Sequence, residues 1–317
     1  VAQFQFLYPD IRVDDESVKE QFKPVFVRTT KEELNLPPVN RYLVPVPFGQ
    51  AQQRLYNMLI SDAWRNANEC LAAHNKIALR KLGKSVMRLI EAASNPALLL
   101  NDISFLDSGI LSEVLNEGSS SKLIYACQRA RWLAKRNRKC IIWTTFRNNV
   151  EVIAQRLIDL NAVYIHGGVD TGEDDDSDTR EGKIKRFKND DNCYVLVANP
   201  AAAAESISLH MVCHHAIYVD RTYNAAHYLQ SEDRIHRLGL PPDTETTIEI
   251  LSCPGSIDEN INVRLTEKVQ EMATALNDRS LSIETIRYDI GDNPEGDVEF
   301  MDTRDIASLL DWLKSKI

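Results

Sequence analysis

The residues best suited to chemistry lie in one strongly charged segment, residues 230–239. On a helix, positions i, i+3, i+4 and i+7 share one face. These positions are occupied by Gln230, Asp233, Arg234 and Arg237. The two arginines would then point the same way, and their guanidinium groups match phosphate oxygens and keep their charge. Phosphoryl transfer needs such groups where negative charge accumulates. The same pattern is also typical of a surface helix whose arginines pair with neighbouring acids such as Glu232.

Strands and helices alternate through the central part of the chain, after the small-residue stretch 118–121. The predicted strands span residues 140–144, 162–165, 194–198, 216–219 and 246–251, and the predicted helices span 122–136, 148–160, 179–188 and 225–237. This alternation predicts an α/β fold with a parallel sheet and helices on both faces. Ligands of such sheets bind at the carboxyl ends of the strands, and the charged segment follows one such end.

The segments on either side of the predicted sheet differ in character. Residues 1–48 are interrupted by prolines and predict an extended connector. Residues 49–117 have apolar side chains at helical spacing. Residues 118–255 hold the sheet, and residues 256–317 predict a C-terminal helical extension with a polar tail. The chain is therefore expected to have four segments.

Several short motifs follow one another in a fixed order. Residues 230–239 read Gln-x-x-Asp-Arg-x-His-Arg-x-Gly, and residues 220–225 read Asp-Arg-Thr-Tyr-Asn-Ala. Further upstream come Ala-Ala-Ala-Glu-Ser-Ile-Ser-Leu at residues 202–209 and Ile-Ile-Trp-Thr-Thr-Phe at residues 141–146. In order and spacing, these resemble motifs of the second lobe of Swi/Snf-related, superfamily-two ATPases, with the segment before residue 48 similar to the connector between the two lobes. The matches extend from residue 22 to about residue 268.

The resemblance implies a RecA-like sheet, with a helical N-terminal connector region and a helical C-terminal extension. It implies that Arg234 and Arg237 reach across a cleft to ATP phosphates held by a first lobe. It also implies that Gln230 and Asp233 position these arginines. Nucleotide contacts are placed at Ser206 and Ser208. Contacts to the phosphates of one DNA strand are placed at Thr144, Thr145, Arg147, His166, Gly167 and Asn199.

The implied function is an ATP-driven motor on double-stranded DNA, whose partners are the duplex and the first RecA-like lobe of the same polypeptide. Nothing in the chain resembles that first lobe, since it has neither a Gly-x-x-x-x-Gly-Lys-Ser/Thr loop nor an Asp-Glu pair after an apolar strand. The groups that cradle ATP phosphates and hold Mg²⁺ are expected upstream of Val1. ATP and Mg²⁺ are therefore expected in the complete two-lobe protein, and tight binding of either by this chain alone is not.

The chain departs from the family pattern in motif V, where Ala203, Ala204 and Ser206 replace glycines and restrict the backbone. Ala225 replaces the usual proline, and Leu240 replaces the usual glutamine. These variants resemble a bacterial defence branch, with the helicase-like component of the Zorya antiphage system as the candidate and other defence-system proteins as partners. The altered motif V leaves open a nucleic-acid-binding module without hydrolysis, and an RNA-directed superfamily-two helicase is another alternative.

The net charge of −9 is unexpected for a protein that binds nucleic acid. Acid is concentrated in residues 173–178, which predicts a solvated loop. Basic residues cluster at 129–139, which predicts either a solvated helix end or a surface that follows phosphates.

The six cysteines are scattered and form no Cys-x-x-Cys pair, and no apolar run is long enough to cross a membrane. A reduced, cytoplasmic protein without a membrane partner is therefore expected. Residues 213–215, Cys-His-His, suggest a zinc ligand set, but they lack a ligand pair at standard spacing, so no metal site is predicted.

Because the first-lobe motifs are missing, the 317-residue chain on its own should release no phosphate from ATP above the buffer rate. Steady-state phosphate release by the purified chain, with and without duplex DNA, measures this. Robust turnover would contradict the two-lobe interpretation.

Overall fold

The computed structural model describes residues 36–73, 76–101, 109–173, 175–202, 207–275 and 301–316. The strands in these ranges are β1 (Val39–Pro45), β2 (Cys140–Trp143), β3 (Val163–Ile165), β4 (Val195–Ala198), β5 (His215–Tyr218) and β6 (Thr246–Ser252). All are parallel, and they form one sheet in the order β1-β6-β5-β2-β4-β3. The predicted α/β fold with a parallel sheet is confirmed.

Helices precede, separate and follow the strands. They are α1 (Gln50–Ala73), α2 (Lys76–Ser94), α3 (Gly109–Glu117), α4 (Ser121–Ala134), α5 (Arg147–Arg156), α6 (Arg180–Asn189), α7 (Ala225–Glu232), α8 (Ile257–Ala275) and α9 (Thr303–Lys314), with short 3-10 turns at Pro96–Asn101 and Ile158–Leu160. None of the helices described has the length and apolar character needed to span a bilayer.

The side chains of each central strand are divided between two apolar cores, one on each face of the sheet. In β2, Ile142 joins the core that contains α4 and α5. Ile141 and Trp143 join the other core, which contains α1, α2, α7 and α8. Successive side chains of a strand point to opposite faces, so both faces need an apolar cover. This double burial explains why β2 and β4 appear in the sequence as continuous apolar runs.

The edge strand β1 was not predicted as part of the sheet. It lies within the segment predicted as an extended connector, and it pairs with β6 from Val39 opposite Thr246 to Pro45 opposite Ser252. An edge strand tolerates a terminal proline because one side of its backbone makes no ladder bonds. The prolines that suggested an irregular segment are therefore compatible with a strand. Residues 1–35 of the predicted connector lie outside the described residues.

A buried ion pair joins α4 to α8. Lys122 Nζ lies 2.7 Å from Asp258 Oδ2, and both side chains are almost inaccessible to solvent. The same Asp258 oxygen accepts a hydrogen bond of 2.7 Å from the Cys253 backbone N–H, just after β6. Burial alone would lower the pKa of Lys122, but the Asp258 charge raises it above its ordinary value. The lysine is therefore held in its charged form between α4 and α8.

Replacing Lys122 by Met should lower the free energy of unfolding by about 3–5 kcal/mol, because the buried Asp258 carboxylate loses its counter-charge. Urea unfolding followed by circular dichroism measures this. Lys314→Met is the matched control, because its partner Asp311 is exposed, and a loss within about 0.5 kcal/mol is expected there. Equal losses in the two variants would contradict a specific role for the buried pair.

Candidate functional site

The charged segment 230–239 is not one continuous helix. Helix α7 ends at Glu232, five residues before the predicted end, so the prediction of a single helical face is wrong. The Arg234 carbonyl oxygen accepts a hydrogen bond of 2.8 Å from the Leu209 N–H, which belongs to a different loop. Because that carbonyl is bound outside the helix, the chain after Glu232 continues as turns. Arg234 and Arg237 therefore lie in a turn segment, residues 233–240, that we call the arginine turn.

The arginine turn still brings the predicted nucleotide residues together. Arg237 Nη1 donates a hydrogen bond of 2.6 Å to Ser208 Oγ. Arg234 Nη1 lies 3.4 Å from the Ile207 carbonyl oxygen. With the Leu209 bond, three contacts join this turn to residues 207–209, the end of the motif V segment. Ser208 and the two arginines, which were each predicted to contact nucleotide, therefore lie together through turn geometry.

Three predicted site residues need separate comment. Ser206, like Ala203 and Ala204, lies outside the described residues. Gln230 is exposed on α7, whereas Asp233 caps the end of that helix and is half-buried. The Asp233 charge favours the charged form of the adjacent Arg234 guanidinium. The positioning role of Asp233 stays a prediction.

A third arginine adds to the positive charge of this region. Burial lowers the pKa of Arg234 from its ordinary value, and the nearby charges of Arg237 and Arg180 lower it further. Arg180 is the first residue of α6 and is mostly buried. Arginine keeps its charge in proteins, so three guanidinium groups together favour an anion. The sequence motifs assigned no site role to Arg180, which is the first residue of α6.

The residues predicted to contact DNA follow three neighbouring strands at their carboxyl ends. Thr144 and Thr145 follow β2, His166 and Gly167 follow β3, and Asn199 follows β4. Asn199 Nδ2 donates to the Thr145 carbonyl, and the Asn199 N–H donates to the Ile165 carbonyl at 3.1 Å. The structure therefore places all of these residues along one edge of the sheet.

The two threonine side chains point into the protein. Thr144 Oγ1 donates a hydrogen bond of 2.6 Å to Asp220 Oδ2, and both threonines are buried. The Thr145 N–H donates to the other Asp220 oxygen at 2.7 Å. Ser94 Oγ, at the end of α2, donates to the same carboxylate at 2.5 Å. In this structure the Thr144 hydroxyl is used to fix the loop after β2.

The accessible groups of this edge lie around the loop after β3. Arg147 and Gly167 are exposed, and the Arg147 guanidinium covers Gly168 so closely that a Cβ there would collide with it. His166 is buried, and its Nδ1 accepts a hydrogen bond of 3.0 Å from the Gly168 N–H. Its Nε2 lies 3.1 Å from Glu151, which also binds Arg147 Nε at 3.2 Å. His166 therefore shapes the loop, while the guanidinium and the glycine backbone face solvent.

The basic cluster at residues 129–139 lies at the opposite edge, because it precedes the amino end of β2. Several of its members are bound within the protein: Arg129 to Glu249, Arg131 to Asp159, and Lys139 to the carbonyls of Phe187 and Asp190. Arg136 stacks on the Trp132 ring at 3.6 Å from its centroid. Of the two alternatives, a solvated helix end agrees better with this placement than a surface continuous with the predicted DNA contacts.

Among the described residues, no group of three or more His, Cys, Asp or Glu side chains could hold a metal ion. The residues that suggested zinc have other partners. His215 Nε2 lies 3.0 Å from Glu249, and the His214 Nε2 lies 2.8 Å from the His210 carbonyl oxygen. Cys213 is buried, with its thiol 3.5 Å from the His215 carbonyl.

Comparison with known proteins identifies the central segment. Residues 120–239 match the family model described as the helicase conserved C-terminal domain. YwqA of Bacillus subtilis (strain 168), assigned as an ATP-dependent helicase/translocase, is 23% identical over 259 residues. That alignment covers 79% of this chain but only 26% of YwqA, so the chain spans about a quarter of this curated relative.

Solved structures support the same fold. The Swi2/Snf2 ATPase core of Sulfolobus solfataricus in complex with dsDNA aligns with a TM-score of 0.55 and 17% identity, over 89% of this chain and 58% of that one. The C-terminal part of the Fun30 ATPase domain aligns with a TM-score of 0.53 and 17% identity, over 73% of this chain and 89% of that one. The isolated C-terminal domain of the Sulfolobus protein gives 0.51 and 14%, over 86% of this chain and 98% of that one.

These findings confirm the resemblance predicted from the motifs. Residues 120–239 are similar to the helicase conserved C-terminal domain, and the chain shares the fold of the Swi2/Snf2 ATPase core and of its C-terminal domain. The Zorya-type branch stays a prediction.

Proposed function

We propose that this helicase C-terminal lobe, with its Swi2/Snf2-like fold, is half of an ATP-dependent double-stranded DNA translocase. In this proposal the chain supplies arginine fingers and part of the DNA track to a motor completed by a first RecA-like lobe. The observation that carries it is the convergence of Arg234 and Arg237 on the loop at Ser208, beside the carboxyl edge of the sheet. A cytoplasmic location and partnership with antiphage-defence proteins stay predictions.

The arginine turn has the chemistry that ATP phosphates require. A triphosphate is an anion, and Arg237 is exposed, so it retains donors for a phosphate oxygen besides the one that binds Ser208. Arg234 is held more tightly, by its own carbonyl bond to Leu209 and its contact with Ile207. We therefore assign the role of arginine finger to Arg237. Arg234 supplies a second positive charge beside it. When bound, Mg²⁺ would neutralise phosphate charge, and we expect its ligands in the first lobe.

The proposed DNA contact uses few charges. Arg147 provides one guanidinium, and the loop at Gly167 provides exposed backbone next to it. Backbone N–H groups bind phosphate without adding net charge. A chain with net charge −9 can therefore bind duplex DNA through a local surface. That the Sulfolobus relative was solved with dsDNA supports the choice of duplex as ligand.

In a polypeptide that contains both lobes, Arg237→Ala should lower kcat for ATP hydrolysis by about 10³–10⁵-fold while leaving ATP binding largely intact. The physical reason is that the guanidinium stabilises charge that develops only in the transition state. Arg138→Ala is the control, because Arg138 is exposed at the opposite edge of the sheet. Retention of more than about a tenth of the wild-type rate would rule out the finger role.

Duplex DNA should stimulate that ATPase without sequence preference, and more strongly than single strands or RNA. Binding should depend weakly on salt, and Arg147→Ala should reduce the slope of log K against log salt by about 0.9, the value for one lost phosphate contact. Arg138→Ala should leave the slope unchanged. ATPase rates with each nucleic acid and fluorescence anisotropy across a salt series provide the measurements.

The outcomes separate the alternatives. Equal or greater stimulation by RNA would favour an RNA-directed helicase. Binding of nucleic acid without hydrolysis by the two-lobe protein would favour the inactive module. An unchanged salt slope for Arg147→Ala would remove Arg147 from the DNA contact.

A further inference from the structure

The edge strand β1 binds the end of helix α7, which leads into the arginine turn. Arg41 Nε, on β1, donates a hydrogen bond of 3.0 Å to Glu232 Oε2, and a second guanidinium nitrogen binds Oε1. Glu232 is the last residue of α7, and its carboxylate is completely buried. Tyr228 Oη donates to the same carboxylate at 2.7 Å. A buried carboxylate is thus held by a two-pronged arginine from a segment 191 residues away.

A second contact holds the arginine turn itself. His236 is buried, and its Nε2 lies 2.7 Å from the Pro37 carbonyl oxygen, just before β1. A carbonyl oxygen can only accept, so this histidine nitrogen carries the proton and donates. Residues 37 and 41 therefore engage positions 236 and 232, one on each side of Arg234.

The two sides of the segment 232–237 have different partners. Glu232 binds Arg41 on β1, and His236 binds Pro37 just before β1. Arg234 and Arg237 instead bind residues 207 and 208. The backbone that carries the arginines is therefore clamped between a strand on one side and a loop on the other. Loss of either set of contacts removes one of these two attachments of the turn.

We infer that β1 is a positioning strap for the arginine turn, with Arg41, Glu232 and His236 as its positioning residues. The strap fixes where Arg234 and Arg237 are presented, and it makes that placement depend on the segment that enters the sheet at residue 37. Its catalytic consequence rests on the proposed function, in which this segment is the connector from the first lobe. A shift of the connector then moves the arginines directly, without a change in the sheet.

The expected effect of removing the Arg41 guanidinium follows from the burial of the Glu232 carboxylate. Removing the guanidinium takes the Arg41 counter-charge away from the buried Glu232 carboxylate, which is strongly unfavourable. A catalytic group displaced by about 1 Å can lose about 100-fold in rate. Arg41 makes no catalytic contact in this proposal, so its loss should act on the rate through the arginines.

The first experiment uses hydrogen exchange on the 317-residue chain, which needs no ATPase activity. Arg41→Ala should speed amide exchange in residues 233–240 by about tenfold or more, while exchange in β2 and β4 stays unchanged. Asn40→Ala is the matched control, because Asn40 lies on the same strand but binds Glu245. Arg41→Lys keeps the charge without the two-pronged geometry and should give a smaller increase. If Arg41→Ala unfolds, Arg41→Gln, which keeps a donor, replaces it.

The second experiment measures ATP hydrolysis by the same variants in the polypeptide with both lobes. Arg41→Ala should lower kcat by about 10–100-fold with less than about a threefold change in KM for ATP. Arg41→Lys should recover part of the loss, and Asn40→Ala should behave like wild type. A merely structural role would lower the amount of folded protein without changing kcat per folded molecule.

The outcomes separate this inference from the proposed function. Unchanged exchange at 233–240 in Arg41→Ala overturns the strap, whatever the ATPase results. Faster exchange with unchanged kcat overturns its link to catalysis, and so does an equal loss in Asn40→Ala. If Arg237→Ala keeps its rate, the finger role fails, but the exchange data still decide whether β1 holds the turn.

Discussion

The buried carboxylate of Asp220 is the contact on which the arrangement of the sheet edge depends. It lies just after β5 and accepts hydrogen bonds from Thr144 Oγ1, the Thr145 N–H and Ser94 Oγ. One carboxylate thereby joins the end of β2, the end of β5 and the helical region before the sheet. A buried carboxylate needs this many donors, because an unsatisfied charge in the interior is strongly unfavourable. The loop that presents Arg147 therefore starts from a fixed position.

The arginine turn is organised differently. There, main-chain groups take part in the positioning bonds: the Leu209 N–H donates to the Arg234 carbonyl, and the His236 side chain donates to the Pro37 carbonyl. Side chains then complete the clamp through Arg41 and Glu232. A turn held from two sides can present an exposed guanidinium at Arg237 and still stay in place, which preorganised electrostatic catalysis requires.

The net charge of −9 does not describe the charge of each part of the surface, because acidic and basic residues are concentrated in different places. The acidic residues of 175–178 are exposed, and Asp175 pairs with Lys185 at the surface. The charges of Arg237 and Arg180 both act on Arg234, so three guanidinium groups lie near the arginine turn. Because exposed charges farther apart than about 8–10 Å are screened at physiological salt, the local set matters more for an anion than the total.

Sequence alone determined the α/β class, five of the six described strands and the residues that line the carboxyl edge, because apolar runs and alternation record local burial. It did not determine β1, the end of α7, the inward direction of Thr144 or the contribution of Arg180. Each of these depends on partners remote in the chain, such as Arg41 with Glu232 and Leu209 with Arg234. A hydrogen bond between distant segments produces no periodic pattern in the sequence. Only the tertiary structure therefore decided that the two arginines lie in a clamped turn and not on a helical face.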